Sequence, residues 1–289
     1  MANFRKHSLN PYFFILPAFI FIGLVVIYPI IMVFIYSFSK WSLFEFKITG
    51  IENYISVFKD TVFWNVIKNN LFVLVNIPVQ ILIGTFIASL LYDIKRGLKF
   101  YQSFYFIPVV LPIAAIGILW TFILRIDGPI NSFLKLIGLG SFVRLWLGNI
   151  SWSLPSAIGI MIWKDIGFVI LLFTSSLLAA PPEIFEAARI DGANRWQIFL
   201  HIKLPALFPV IYIYGVLGVI WSFTDVFSYI YVITGGGPGY SSTVVEYLIY
   251  LQAFKNLNMG YASALSVIVF VIVMVFVVIY IKTVPKVKE

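Results

Sequence analysis

Three ionisable residues, Lys164, Asp165 and Asp225, sit within stretches that are otherwise free of charge. Ionised groups in such surroundings face a cavity or pair with a neighbouring helix, and they mark solute pathways. Around them lie the rings of Trp163, Trp221, Tyr229 and Tyr231 and the hydroxyls of Ser222 and Thr224. That combination suits a polyhydroxylated solute, whose hydroxyls hydrogen-bond and whose C–H faces lie on rings. The same aromatics equally fit a lipid-facing or interfacial role. This is binding chemistry. No nucleophile and base stand at catalytic spacing, so the chain is expected not to be an enzyme. Cysteine is absent, which excludes disulfides, thiolate metal sites and a cysteine nucleophile. His7 and His201 are far apart, and no metal site is expected.

The elements that must hold these groups are membrane spans. Of 289 residues, 61% are hydrophobic and only 11% are charged, against about 25% in a soluble domain. A helical span needs about 20 mostly apolar residues. Charge-free stretches give six: about 11–39, 69–92, 101–124, 153–180, 205–233 and 258–281. The Lys164-Asp165 pair then lies inside the fourth and Asp225 inside the fifth. The expected fold is an all-α integral membrane protein with six transmembrane helices, one transmembrane domain over 1–289. The first stretch reads as a retained helix rather than a cleavable signal. Pro78, Pro108 and Pro112 should kink or loosen their helices, and Asn76 and Gln80 beside Pro78 are expected to serve packing.

Orientation follows from the basic residues. With both termini inside, Lys and Arg are densest in the short inside segments, as the positive-inside rule requires. The net charge of +8 is therefore read as basic cytoplasmic loops, and no nucleic-acid partner is expected. The outside segments are 40–68, 125–152 and 234–257. The glycine-rich run Gly235-Gly236-Gly237-Pro238-Gly239 lacks the Gly-Lys-Ser/Thr ending that binds nucleotide phosphates, and reads as an external turn.

The most charged inside segment is 181–204. Pro181 and Pro182 can open a helix, and Glu183 and Glu186 complement its positive end. Gly192 can take the left-handed conformation that stops it. Asn194 with Gln197 three residues on forms a capping-box pattern for a second helix. Ile184, Ala187, Ala188 and Asp191 fall near one face of the first helix, narrow enough for another protein to approach closely. A solvated amphipathic loop would look the same.

The spacing Glu186-Ala187-Ala188, three residues, Gly192, nine residues, Ile202, one residue, Leu204-Pro205 resembles the EAA loop of binding-protein-dependent ABC importer permeases. Asp191, Ala193 and Pro209 fit its sugar-permease version. Pro17-Ala18, Pro29, Ser37-Phe38 and Gly50-Ile51-Glu52-Asn53-Tyr54 look like the start of permeases of the maltose and glycerol-phosphate type. Gly236-Gly237-Pro238-Gly239, Thr243, Tyr250, Ala253-Phe254 and Gly260-Tyr261-Ala262-Ser263-Ala264 look like their final third.

The resemblance implies a type I importer permease in a bacterial cell membrane, with both termini cytoplasmic. It implies a second permease subunit in a heterodimer, two ATPase subunits that bind ATP and magnesium, and an external solute-binding protein. No cofactor is implied in this chain itself. Glu186 and Arg189 would contact the ATPase, Ala187 and Ala188 would pack in its cleft, and Gly192 would form the turn. Carbohydrate is the implied solute. A non-sugar solute such as glycerol-phosphate, or a secondary transporter, is the alternative; the latter should show internal repeats, and none is evident.

Overall fold

The computed structural model describes residues 12–42, 45–94 and 96–283. The first residue of the expected first span, the basic Arg5, Lys6, Lys95, Lys286 and Lys288, and His7 lie outside the described residues.

In chain order the helices are α1 (Phe13–Ser37), α2 (Glu52–Lys59), α3 (Thr61–Tyr92), α4 (Leu98–Val110), α5 (Ile113–Ile123) and α6 (Pro129–Leu136). They continue with α7 (Ser153–Ala179), α8 (Pro182–Ile190), α9 (Arg195–Trp221), α10 (Phe227–Ile233), α11 (Val245–Tyr250) and α12 (Met259–Thr283). A short antiparallel hairpin, β1 (Ser39–Ser42) and β2 (Glu45–Ile48), pairs Ser39 with Ile48 and Trp41 with Phe46. Among the described residues five helices are long and apolar enough to cross a membrane, or six if α4 and α5 together make one broken span. The chain is a helical integral membrane protein.

The chain divides into two compact units. The smaller takes the chain up to Asp60 with Ile249–Phe270. There the end of α1, the hairpin, α2 and the start of α12 are tied by side chains. Asn53 donates from Nδ2 to the carbonyls of Ser37 and Ser39, both at 2.9 Å. Ser37 Oγ and Tyr54 Oη lie 2.7 Å apart, and Tyr261 Oη donates to Asp60 at 2.7 Å. Gly260 lets α12 approach this knot: a methyl group there would stand 2.0 Å from the Ser39 carbonyl oxygen.

The larger unit takes Thr61–Leu248 and the chain from Val271 onward. Its spine is α7, against which α3, α4, α9 and α10 pack. One core joins Ile116, Ile158, Met161, Val226 and Ile230; another joins Ile77, Val169, Phe173, Leu177 and Leu207. Small residues on α7 permit the closeness. At Gly167 a methyl group would sit 1.9 Å from the Tyr105 carbonyl oxygen of α4.

Three expected spans differ in detail. The second starts at Thr61 rather than 69, because Asn65, Lys68 and Asn69 do not stop α3. Asn65 and Asn69 both donate to the Tyr240 carbonyl, at 3.1 and 3.0 Å, and Asn69 also to that of Thr243 at 2.8 Å. The third is bent by 92° between α4 and α5, where Pro112 supplies no N–H to continue the ladder. The fifth, expected as one helix over 205–233, is corrected. Its α9 runs from Arg195 through a π-helical turn at Phe199–Lys203 to Trp221, and then the chain breaks before α10. At the break Ser222 and Thr224 bond back to the carbonyls of Gly218 and Ile220, at 2.8 and 3.0 Å. Such bonds compete with continued helix. Buried Asn70 takes up the freed Ser222 carbonyl at 3.0 Å and accepts the Val245 N–H at 2.8 Å.

Candidate functional site

The break after α9 opens a cavity of about 280 Å³ within the larger unit, between α3, α7, α9 and α10. Asp165 projects from the middle of α7 and Asp225 from the break. Trp221 and Phe168 supply apolar rings, their centroids 6.2 Å apart. Five of the nine pathway residues expected from the sequence line it: Asp165, Trp221, Ser222, Asp225 and Tyr229. Trp163 instead packs edge-on against Trp120 at 5.3 Å. Thr224 is spent on the helix end, and Tyr231 stacks on Phe227 at 5.5 Å.

Lys164 does not line the cavity but lies just behind its wall. Its Nζ donates to the Val109 carbonyl at 3.2 Å and meets Asp165 Oδ1 at 3.3 Å. In an unbroken helix the Val109 carbonyl would accept from residue 113; at the α4–α5 bend Lys164 takes that place. Asp165 receives a second bond from Tyr229 Oη at 2.7 Å.

Asn76 and Gln80, expected to serve packing, both line the cavity. Gln80 is fully buried. Its Oε1 accepts the Tyr214 hydroxyl, while its Nε2 is buried with no hydrogen-bond partner. Asn76 Oδ1 is likewise buried and unpartnered. The signal in the sequence is the coincidence of two amides flanking a proline in an apolar span, which fits packing as well as a cavity wall. Glu246 also escaped notice. Its Oε1 accepts the Val226 N–H at 3.2 Å, and its Oε2 is buried without a partner. Burial pushes the Glu246 carboxyl up to about 8; the Val226 N–H opposes this in part, and the charge of Asp225 adds to it.

The second candidate surface is α8 with the start of α9. Gly192 has φ +81° and ends α8. Asn194 and Gln197 form the reciprocal capping box that their spacing indicated, with bonds of 2.7 and 2.9 Å. Phe185 anchors α8 from beneath, buried and 4.7 Å from the Tyr92 ring. This leaves Ile184, Glu186, Ala187, Ile190, Asp191 and Gly192 exposed, with Ala188 and Ala193 half-buried. Ile190 is 86% exposed, unusual for an isoleucine outside an interface. Arg189 reaches back to Asp93 of α3's own C-cap at 3.3 Å. Ile202 and Leu204 are half-buried and Pro205 is exposed.

Between them lies Lys203, 3% exposed. It donates to the Ser89 carbonyl at 2.8 Å and to Asp93 Oδ2 at 2.9 Å, with the Tyr92 ring 5.0 Å away. Sequence reasoning passed over Phe185, Asp93 and Lys203, since their meeting is set by how α3 lies beside α9.

Residues 80–287 match the family described as binding-protein-dependent transport system inner membrane component. The probable ABC transporter permease protein YurN of Bacillus subtilis is 35% identical over 274 residues, spanning 93% of each chain. The multiple sugar-binding transport system permease protein MsmF of Streptococcus mutans is 30% identical over 262 residues, covering 90% of this chain and 89% of its own. A solved bacterial ABC transporter involved in the import of the acidic polysaccharide alginate contains a chain of the same fold. It superposes with a TM-score of 0.83 at 24% identity over 96% of each chain.

Proposed function

Since this chain belongs to the family of binding-protein-dependent transport system inner membrane components, a family of transporters and not of enzymes, we propose that it forms half of the membrane pathway of an ATP-driven carbohydrate importer. The observation that carries the carbohydrate reading is the cavity. It sets hydrogen-bonding groups (Asp165, Asp225, Asn76 and Gln80) beside the apolar faces of Trp221 and Phe168, the two surfaces that a sugar ring offers in return. The likeness to MsmF, a permease of a sugar-binding transport system by its name, supports the same reading.

In this reading α8 is the coupling helix. A partner ATPase receives Ile184, Glu186, Ala187, Ala188 and Ile190, with Gly192 shaping the turn. Buried Phe185, and exposed Arg189 reaching back to Asp93, fasten α8 to α3, so that movement of the docked helix reaches the spans. A second permease subunit completes the pathway, two ATPase subunits bind ATP and magnesium, and an external binding protein delivers the solute. Both termini then lie in the cytoplasm and the glycine-rich turn at 235–239 lies outside.

The test is reconstitution with the partner permease, the ATPase and the binding protein in liposomes, followed by uptake of labelled sugars, amino acids and short peptides. Uptake of one or more sugars that needs both ATP and the binding protein is expected. Uptake that proceeds without ATP, or of amino acids or peptides alone, would overturn the proposal.

A further inference from the structure

The hydrogen-bond polarity of the cavity carries more than the presence of a site. Its hydroxyl protons are already committed inside the protein. Tyr229 donates to Asp165 at 2.7 Å, Ser222 donates to the Gly218 carbonyl at 2.8 Å, and Tyr214 donates to Gln80. What faces a solute directly is the Asp225 carboxylate, exposed on the cavity wall and able only to accept when ionised. Gln80 Nε2 and Asn76 Oδ1 are buried beside the cavity without a hydrogen-bond partner.

Charge points the same way. Among the described residues no lysine or arginine lines the cavity. The nearest cation, Lys164, is 13% exposed and occupied by Asp165 and the Val109 carbonyl. Asp165 is thereby matched, whereas Asp225 has no side-chain partner among the described residues. An unmatched carboxylate beside aromatic faces attracts hydroxyl donors and ammonium groups. It repels phosphate, sulfonate and carboxylate groups, which bring only further acceptors and like charge.

We infer that the cavity selects sugars or polyols without acid groups, amine-bearing ones above all, and that Asp225 is the residue that turns acidic sugars away. This rests on the carbohydrate reading above and adds the charge class of the solute. Rejection of the wrong partner by an uncompensated like charge is a common source of specificity.

The experiment uses the assembled permease–ATPase complex in detergent, without binding protein, so that the binding protein's own selectivity does not enter. Equilibrium binding of labelled glucose, glucosamine and glucuronate is measured near neutral pH. Wild type should bind glucosamine best and glucuronate about tenfold or more weaker than glucose. Asp225→Asn should bring the three to within about threefold of one another, and Asp225→Glu should keep the wild-type order. Elution of each variant as an intact complex on size exclusion keeps loss of charge separate from loss of fold. Glucuronate binding as tightly as glucose to wild type, or a spread that Asp225→Asn leaves unmoved, overturns this inference and leaves the carbohydrate reading standing. Failure of all three sugars to bind wild type overturns both.

Discussion

Asp93 and Lys203 form a buried-to-surface ion pair at 2.9 Å that joins the end of α3 to the start of α9. The other carboxylate oxygen of Asp93 holds Arg189 of α8 at 3.3 Å. One side chain thus fastens both halves of the segment proposed to meet the motor. The two bonds differ in weight. Lys203 is almost fully desolvated, while Arg189 is 53% exposed.

Asp93→Ala should therefore lower the thermal unfolding temperature of the purified permease clearly. Removing one partner of a fully buried pair costs roughly 3–5 kcal/mol; the 43% exposure of Asp93 and the remaining Ser89 bond place this case below that. Arg189→Ala breaks an exposed pair, which is worth roughly 0–1 kcal/mol. Its unfolding temperature should hardly move while binding-protein-stimulated ATPase activity falls. Equal destabilisation by the two variants would contradict this division.

At Gly192 a side chain would meet nothing within 4 Å, but φ is +81°. The constraint is backbone conformation, not space. Asn tolerates the left-handed region and β-branched residues do not. Gly192→Asn should keep assembly with the ATPase near wild type and Gly192→Val should reduce it, as read by co-purification of the ATPase. Similar behaviour of the two would show that the turn does not matter for docking.

Asn70 is fully buried and satisfies two backbone groups, the Ser222 carbonyl and the Val245 N–H. In Asn70→Leu both lose their partner, at roughly 1–3 kcal/mol each. A drop in unfolding temperature is expected, together with weaker solute binding because Ser222 borders the cavity. Unchanged stability would mean that the break is held by other contacts.

Glu246 gives a pH dependence of definite sign. Its carboxyl titrates near 8 in the folded chain, against 4.5 as the ordinary value. The folded state therefore holds the proton more tightly. The resulting stabilisation is fully present below about pH 4.5, declines as pH rises above that, and is lost through about pH 8. Thermal unfolding between pH 5 and 9 should show falling stability with rising pH, and Glu246→Gln should flatten that slope. A slope identical in wild type and variant would assign it to other groups.

Much of this organisation was legible from residue types. Charge-free runs located the apolar helices, and the capping pattern of Asn194 and Gln197 located the start of α9. The motif residues Ser37, Asn53 and Gly260, far apart in the chain, meet in one knot of the smaller unit. Asp165, Trp221 and Asp225 were marked by being out of keeping with their surroundings. What could not be read was how side chains settle backbone groups across helices. Asn69 and Asn70 look like the polar edge of a span, yet they reach carbonyls and amides more than a hundred residues away. Lys164 looked like a pathway charge and serves the bend at Val109. The break at Ser222–Asp225 was hidden because its residues are individually compatible with helix. Their back-bonding is local, but the partner offered by Asn70 exists only once α3 lies alongside.

The connection between α7 and α8 has a mechanical consequence. Only Ala180 and Pro181 separate the two helices, so little slack is available to absorb a displacement of α8. Asp165 lies about 21 Å up the α7 rod from Ala179, so a tilt of about 10° at that foot would carry its carboxylate sideways by about 4 Å. The chain thus contains a lever whose short end is a nine-residue helix and whose long end is the wall of the cavity.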